Sequence, residues 1–442
     1  MITRIYMLIL AAFFSINVLL AQQTVEVKKL SLREAVEMAK TNNYTVRNVK
    51  LDQLAAEKKV NEILSNGLPQ INASGNFTNN LVISSNAINF GGQTTIIKFG
   101  QPYTVTGSIT ATQLLFDGGF FLGVKAAKEY VNLAKIGVKL SNTEIEAAIN
   151  KLYFAALISD AGIKMMERNL ELMGKTLNDL KEVYKAGLRE KIDVDRMQLS
   201  YSNTNIQLDK LRDQLTLSYM VLKMQLGLKV TDSIALSDNL EKLYGEQKTL
   251  VVENKINFLN RPDYQMVDQQ IKLQDYDRKR YLLGYAPSLS AMFSHQQNTF
   301  GEEFSQLGSP WYNGTFWALN LNVPIFDGLR KSAQIQQTKI NKAKFENSKK
   351  NLESTIENDV EQARLKYVRA VEQLSVQKKN VELAEDIYNQ ANVKFTNGVG
   401  SNLELSSAEN DMKNAQTNYL SSIFDLLSAQ VDLKKALGQL GN

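Results

Sequence analysis

Few side chains in this sequence could carry chemistry. The chain of 442 residues has one histidine, His295, and no cysteine. A lone imidazole has no second histidine to form a zinc site and no cysteine to act as nucleophile, so His295 reads as a surface or loop residue near the outer end of a strand. The Gly91–Gly92 and Gly118–Gly119 pairs lack the spacing of a phosphate-cradling loop and read as turn and corner residues. Charge is arranged at two further places. Arg189, Lys191, Asp193 and Asp195 follow a glycine at Gly187, and Glu404 follows a glycine at Gly398. Acids in the first turn of a helix favour its dipole, which is one reading of Asp193, Asp195 and Glu404. The other is that several copies gathered around an axis form a negative ring that attracts cations. No catalytic residue, metal site or cofactor is expected.

Composition narrows the field. The 51 Lys+Arg and 46 Asp+Glu give a net charge of +5. The bases alternate with acids along helical stretches instead of clustering with aromatics, which describes solvated helix faces and argues against nucleic acid as a partner. Arg4, an apolar run from Ile5 to Leu20 and then Ala21 make residues 1–21 a secretory signal peptide. Without cysteine, neither a disulfide framework nor a thiol-linked lipid is available. After the signal no stretch reaches the roughly 18 apolar residues of a membrane-spanning helix. A membrane crossing would therefore have to be a β-barrel.

The chain also repeats itself. Leu115-Phe116-Asp117-Gly118 is echoed by Ile325-Phe326-Asp327-Gly328, and nearly the same interval separates Tyr184 and Gly187 from Phe395 and Gly398, and Leu226-Gly227 from Leu437-Gly438. Pro69 answers Pro287 and Asn42 answers Asn260. This divides the chain into a first structural repeat (22–227), a connecting segment (228–255) and a second repeat (256–442). Each repeat reads as helix, strand, loop, strand, very long helix, turn and helix. The helices fall at roughly 31–65, 118–185 and 190–227, then roughly 263–284, 328–396 and 402–437.

The long helices carry heptad stripes. One begins Val124, Ala127, Val131, Ala134, runs through Ile145, Ala148, Leu152 and Ala155 to Ser159 and continues, after a stutter between Gly162 and Leu170, through Met173, Leu177 and Leu180 to Tyr184; the other runs from Val360, Ala363 and Tyr367 to Tyr388, Ala391 and Phe395. Such a helix would be about 100 Å long, too long for one globular core. Small seam residues suit a thin wall of coiled coils. A dimeric rod or scaffold fits the helices equally well.

Four segments alternate with a period of two. In 103–113, Tyr103, Val105, Gly107, Ile109 and Ala111 face one way and Thr104, Thr106, Ser108, Thr110 and Thr112 the other. Ile71, Ala73, Gly75 and Phe77 alternate with Asn72, Ser74 and Asn76; Leu289, Ala291 and Phe293 alternate with Ser288 and Ser290; Trp317, Leu319, Leu321 and Val323 alternate with Ala318, Asn320 and Asn322. Strands with an apolar outer and a polar inner face describe a membrane barrel, with Phe77, Tyr103, Phe293, Trp311, Phe316 and Trp317 as its aromatic girdles. A water-soluble sandwich with one wet face is the alternative. Four strands cannot close a barrel, and eight leave a lumen filled by side chains, so three copies and twelve strands suit a conduit. Polar inner faces describe a water-filled passage without a shaped pocket.

Taken together, the duplicated halves, the Phe116-Asp117-Gly118-Gly119 and Pro324-Ile325-Phe326-Asp327-Gly328 corners and the Gly187 and Gly398 turns resemble the TolC-like outer-membrane efflux protein family. The resemblance spans nearly the whole chain after the signal. It implies a mainly α fold with a membrane β-barrel portion: a homotrimer with four strands per protomer in a twelve-stranded barrel, continued by a long periplasmic α-helical coiled-coil barrel. It implies an outer-membrane exit duct of a tripartite efflux or type I secretion system in a Gram-negative bacterium, without enzymatic activity. It further implies docking to a periplasmic adaptor protein and an inner-membrane pump through the hairpin tips, at Gly187, Leu188, Gly398 and Val399. In that family carboxylates after these turns line a narrow periplasmic aperture. Asp193 and Glu404 match such positions, Asp195 lies beside them, and Arg189 and Lys191 supply nearby bases, whereas Gly400 and Ser407 stand where relatives carry a base and a second acid. A periplasmic or surface coiled-coil scaffold or adhesin without a channel is the competing reading.

Overall fold

A computed structural model describes residues 28–245, 256–308 and 310–441. The signal segment expected over 1–21 and the later part of the connecting segment, 246–255, lie outside the described residues. The elements run β1 (Lys28–Leu30), α1 (Leu32–Asn42), α2 (Tyr44–Ser65), β2 (Gln70–Asn79), β3 (Ser85–Phe90), β4 (Gln93–Lys98), β5 (Tyr103–Phe116), α3 (Gly118–Lys185), α4 (Lys191–Gln225), β6 (Ile234–Leu236) and α5 (Leu240–Gly245). After a 3-10 turn at Phe258–Asn260 come α6 (Pro262–Leu283), β7 (Ser288–Gly301), β8 (Tyr312–Asn322), α7 (Arg330–Thr396) and α8 (Asn402–Ala436). Corresponding helices have nearly equal lengths: 22 residues in α2 and α6, 68 and 67 in α3 and α7, 35 in α4 and α8. Among the described residues no helix is long and apolar enough to cross a membrane.

The first helical stretch departs from its expected form. A capping box starts α1, with Ser31 Oγ accepting from Glu34 N and Glu34 Oε2 accepting from Ser31 N at 2.8 Å. Instead of one helix over 31–65, the chain breaks at Asn43, whose backbone is extended at ψ 130°. Its Oδ1 accepts from Thr45 N at 2.9 Å and starts α2, while its Nδ2 donates to the Gln225 carbonyl at 2.9 Å. A buried asparagine thus satisfies the end of one helix and the start of the next.

The chain divides into two compact units, each drawn from both repeats. One takes the residues up to Lys50, Gly137–Tyr264 and those from Leu352 onward. Its core gathers Leu30, Val46, Ile149, Tyr153, Leu222, Leu226 and Leu427. The short strands β1 and β6 pair in parallel, Leu30 opposite Leu236, which periodicity over three residues could not reveal. Tyr153 Oη shares its proton between the Leu30 carbonyl and Asp238 Oδ2, both at 2.9 Å, and Asp238 also accepts from Leu32 N at 2.7 Å. Burial first, and then Asp238, push the Tyr153 phenol well above its ordinary pKa, so it stays a donor.

The heptad stripe of α7 is buried as expected at Val360, Ala363, Tyr367, Ala370, Val381, Ala384, Tyr388, Ala391 and Phe395. In α3 the expectation holds at Ala127, Val131 and Ile145 and again at Leu170, Met173, Leu177 and Leu180, and it fails between them. Ala147, Ile149, Tyr153 and Ala156 are buried while Ala148, Leu152 and Ala155 are only half-buried. There α1, β1 and α8 cover α3 on more than one face, so the helix is apolar around most of its girth.

The other unit comprises Leu51–Ile136 and Gln265–Asn351. Its antiparallel sheet has the order β2-β5-β7-β8, so strands of the two repeats meet at β5 and β7. Strands β3 and β4 form a separate hairpin in the segment expected to be a loop, turning on Gly91 and Gly92 at φ +58° and +90°. Strand β8 stops at Asn322, one residue before the expected Val323, because Pro324 follows. Helices α2 and α3 pack through Ala56, Val60, Ala127 and Val131, and α6 is tied to α3 by Gln269 donating to Glu129 Oε2 at 2.7 Å. Lys342 joins α7 to α6 by an ion pair with Asp275 at 2.8 Å.

The repeated Leu-Gly pairs have a shared structural cause. Gly227 and Gly438 end α4 and α8 at φ +70° and +69°, where Leu228 N and Gln439 N reach back to the carbonyls of Lys223 and Lys434. A Cβ on Gly227 would sit 2.5 Å from the Asn42 carbonyl oxygen, and one on Gly438 would sit 2.8 Å from the Asn260 backbone. Gly227→Ala and Gly438→Ala are each expected to destabilise the fold by more than about 1 kcal/mol. A lowered thermal unfolding midpoint checks this, with Gly75→Ala, whose Cβ meets nothing, as control.

Candidate functional site

Register fixes the two faces of the sheet. Ile71, Ala111, Phe293 and Trp317 form one row, and Leu289 with Leu321 and Ala291 with Leu319 continue it toward the helices. Ile71, Phe293, Trp317, Leu319 and Leu321 are widely exposed in the protomer, Trp317 at 74% and Ile71 at 71%, while Ala111, Leu289 and Ala291 are half-buried. The opposite face carries hydroxyls and amides that bond across strands: Ser74 Oγ lies 2.9 Å from Ser108 Oγ, and Thr110 Oγ1 lies 3.2 Å from Ser294 Oγ. Strands β2 and β8 are each paired on one side only. Phe77, Tyr103 and Phe304 form a ring cluster at one end of the apolar face, the Phe77–Tyr103 centroids 6.3 Å apart. One assignment needs correction. Phe316 is out of phase with Trp317 and sits on the polar face, so it does not belong to a girdle on the apolar one. His295 likewise is not at a strand end but midway along β7, with Nδ1 2.7 Å from Thr315 Oγ1. Among the described residues no group of His, Asp or Glu could hold a metal ion.

The two corners use an aspartate each. After Phe116 ends β5, Asp117 Oδ1 accepts from Phe120 N at 2.8 Å and caps α3, and Gly118 packs against Leu283, where a Cβ would sit 3.2 Å from the leucine Cβ. In the second repeat Phe326 is exposed, Asp327 Oδ2 accepts from Lys331 N at 3.2 Å, and Lys331 Nζ lies 3.3 Å from the same carboxylate. Gly328 and Leu329 turn the chain at φ +65° and +66°; a leucine there is strained, and the capped corner holds it.

At the far end of the long helices the two turns are built alike. Gly187 and Gly398 adopt φ +77° and +81°, and Leu188 N and Val399 N bond back to the carbonyls of Val183 and Lys394. Leu188 and Val399 are left 76% and 81% exposed. Arg189 links the turns: its guanidinium lies 4.7 Å above the Phe395 ring, Nη2 donates to the Phe395 carbonyl at 2.7 Å, and Nη1 is 3.9 Å from Asp193. Asn402, buried, donates to the Asp193 carbonyl at 3.1 Å. Glu404 is paired with Lys394 at 3.1 Å, and its backbone N–H is capped by Ser401. Lys191 and Asp195 are exposed. Arg189 and Asp193 are therefore gathered at one point, whereas Glu404 belongs to a separate pair whose cation, Lys394, composition did not single out.

Further polar contacts follow along the same helices. Ser200 Oγ donates to buried Glu409, Lys413 Nζ lies 2.6 Å from Glu409 and 3.3 Å from Thr204 Oγ1, and Asn169 donates to Gln416 at 2.7 Å. Burial, and then Glu409, push the Tyr388 phenol up to about 12. The sequence contained a signal for these residues: Asn402, Leu405, Glu409, Met412, Gln416, Tyr419 and Ile423 step strictly by three and four, which puts polar groups at seam positions. Removing one partner of a buried pair strands the other. Lys413→Ala is expected to cost about 3 kcal/mol, read as earlier thermal unfolding. Glu409→Gln combined with Lys413→Met, which leaves no charge there, should recover most of the loss.

Comparison with known proteins agrees with this architecture. The model of a family described as outer membrane efflux protein matches residues 35–228 and 259–439. The probable efflux pump outer membrane protein TtgC of Pseudomonas putida is 20% identical over 415 residues, covering 92% of this chain and 83% of its own. The antibiotic efflux pump outer membrane protein ArpC of Pseudomonas putida is 20% identical with the same coverage. Among solved structures, CusC superposes with a TM-score of 0.73 at 15% identity, over 92% of this chain and 91% of that one. The paired corners, paired turns and half-apolar sheet thus sit on a TolC-like fold, and the chain belongs to the outer membrane efflux protein family and is an outer-membrane protein.

Proposed function

We propose that three copies of the chain form an exit duct, the β8 edge of each pairing with the β2 edge of the next in a twelve-stranded barrel. The observation that carries this is the open sheet with one apolar and one polar face. Its two free edges cannot face hydrocarbon unsatisfied, and closure with two copies would leave no passage. The solved structure of CusC is described in terms of transmembrane channel formation, and ArpC is named for antibiotic efflux; both support passage of solutes through the assembly. On this reading the duct serves a tripartite efflux or type I secretion system and passes substrates from an inner-membrane pump across periplasm and outer membrane. A periplasmic adaptor docks at the hairpin tips around Gly187, Leu188, Gly398 and Val399. The protein is expected in the outer-membrane fraction as a detergent-resistant trimer, and deletion of 103–113 should abolish it. A stable monomer by light scattering in detergent overturns the assembly.

The same reading makes the tips the narrow entrance. Asp193, Asp195 and Glu404, repeated three times around the axis, give it negative charge, while Arg189 on Phe395 and the Asn402–Asp193 contact hold the turns of each protomer together. Lys191 adds a base on the exposed side. Exposed pairs contribute only about 0–1 kcal/mol each, so closure rests on several links plus packing. Replacing Asp193 and Glu404 together by alanine should lower cation preference in planar bilayers. Replacing Arg189 and Lys191 should raise resting conductance. Unchanged selectivity and conductance in both variants would return these residues to the role of helix-start acids and solvated bases.

A further inference from the structure

The polar face of the sheet has no ionisable group other than one phenol. Away from the helices its rows are Asn72–Thr110–Ser294–Phe316, Ser74–Ser108–Gln296–Gly314 and Asn76–Thr106–Asn298–Tyr312, with Thr78–Thr104–Phe300 beyond; nearer the helices come Gln70–Thr112–Met292–Ala318 and Leu114–Ser290–Asn320. Three rings interrupt this field of hydroxyls and amides, and all three lie on β7 and β8. Phe300, Tyr312 and Phe316 are 42%, 55% and 45% exposed. Phe300 and Tyr312 lie with centroids 5.9 Å apart at an interplanar angle of 41°, and Phe316 follows two rows nearer the helices. Between them Gly314 has no side chain, and the Gln296 amide packs beside it, 3.3 Å from where a Cβ would sit. None of the three is needed to cover a core, because this face has none. On a wall wetted by water, such rings lose the burial that ordinarily favours them, and Ser or Thr would serve a merely inert passage better.

We propose that Phe300, Tyr312 and Phe316 form a stacking track for planar aromatic solutes on the inner wall of the barrel. The inference rests on the reading of the sheet as a barrel wall with its polar face inward. The chemistry selects the solute class. Ring faces carry negative quadrupole density and attract flat π systems and aromatic cations, while the absence of charged side chains gives simple ions no site. Neighbouring Gln296 and Asn298 offer amide hydrogen bonds to polar substituents at the edge of a stacked ring. The track is shallow and repeated in each protomer, so it guides cargo instead of trapping it. The expectation of a passage without specific contacts is thereby narrowed: the first repeat supplies the inert polar wall and the second supplies the rings.

Ethidium, a planar aromatic cation, is a suitable probe, with the channel held in lipid nanodiscs and binding followed by fluorescence anisotropy against empty nanodiscs. Wild-type channel is expected to bind saturably, and a variant carrying Phe300→Ser, Tyr312→Ser and Phe316→Ser to bind about tenfold or more weakly. The corresponding triple leucine variant keeps apolar bulk without π faces and should be weakened as well. Equal affinity of wild type and the serine variant overturns the proposal, as does full retention by the leucine variant. Bilayer conductance of the same preparations separates the two readings. Conductance without ring-dependent binding removes the track alone, whereas ring-dependent binding without conductance removes the duct.

Discussion

A strand at the edge of a sheet presents a row of backbone N–H and C=O groups without partners, and hydrocarbon has no water to satisfy them. The sheet of this chain ends in two such edges, β2 and β8, while its outer face is already committed to apolar contact by Ile71, Phe293, Trp317, Leu319 and Leu321. Much of the architecture answers to that constraint. Duplication gives four strands, and the β5–β7 pairing joins the repeats within one sheet, so the remaining edges come one from each repeat. Each edge in the proposed barrel therefore meets its counterpart from the other repeat. Long helices must then leave the same end of the sheet in both repeats, and the Asp117 and Asp327 carboxylates each accept from a first-turn amide there, Phe120 N and Lys331 N.

The helices solve a second problem, which is register. A seam of alanine, leucine and methionine would tolerate sliding by a heptad with little loss. The seam between α4 and α8 carries three polar contacts at the same sequence separation: Asp193 with Asn402, Ser200 with Glu409, and Thr204 with Lys413. Only one alignment satisfies all of them. Any slip would take Ser200 from buried Glu409 and Thr204 from Lys413, and a buried polar group left without its partner costs about 1–3 kcal/mol. Asn169 with Gln416 extends the same logic to α3.

Much of this was legible in the residues. Equal spacing of Phe-Asp-Gly, Tyr-x-x-Gly and Leu-Gly pairs marked a duplication, and the period of two assigned both sheet faces almost row by row, because register cannot slip by one residue without exchanging them. Three things were hidden. The parallel pair β1–β6 is too short to have a period. The second face buried on α3 between Ile145 and Leu157 depends on elements distant in sequence. The displacement of Phe316 to the polar face was available from alternation with Trp317, but the expectation that aromatics belong at membrane interfaces obscured it. At the tips the types of charge were visible and their partners were not. Arg189 faces a carbonyl and a ring on the other hairpin, which no local spacing encodes.

Duplication is often a route to identical neighbours, yet the two repeats here have kept their backbone and diverged in side chains. Helix lengths match to within a residue, while the inward faces differ, hydroxyls on β2 and β5 against rings and amides on β7 and β8. The tips differ too, with Arg189 on the first turn and its acceptor, the Phe395 carbonyl, on the second. A ring of six unduplicated chains, each a copy of one repeat, would set Arg189 against Arg189. With two repeats per chain, every contact between adjacent hairpins joins unlike partners, so a base can always find an acceptor and a polar edge an aromatic one. The equal backbone lets such a wall close, and the unequal side chains give it complementary seams.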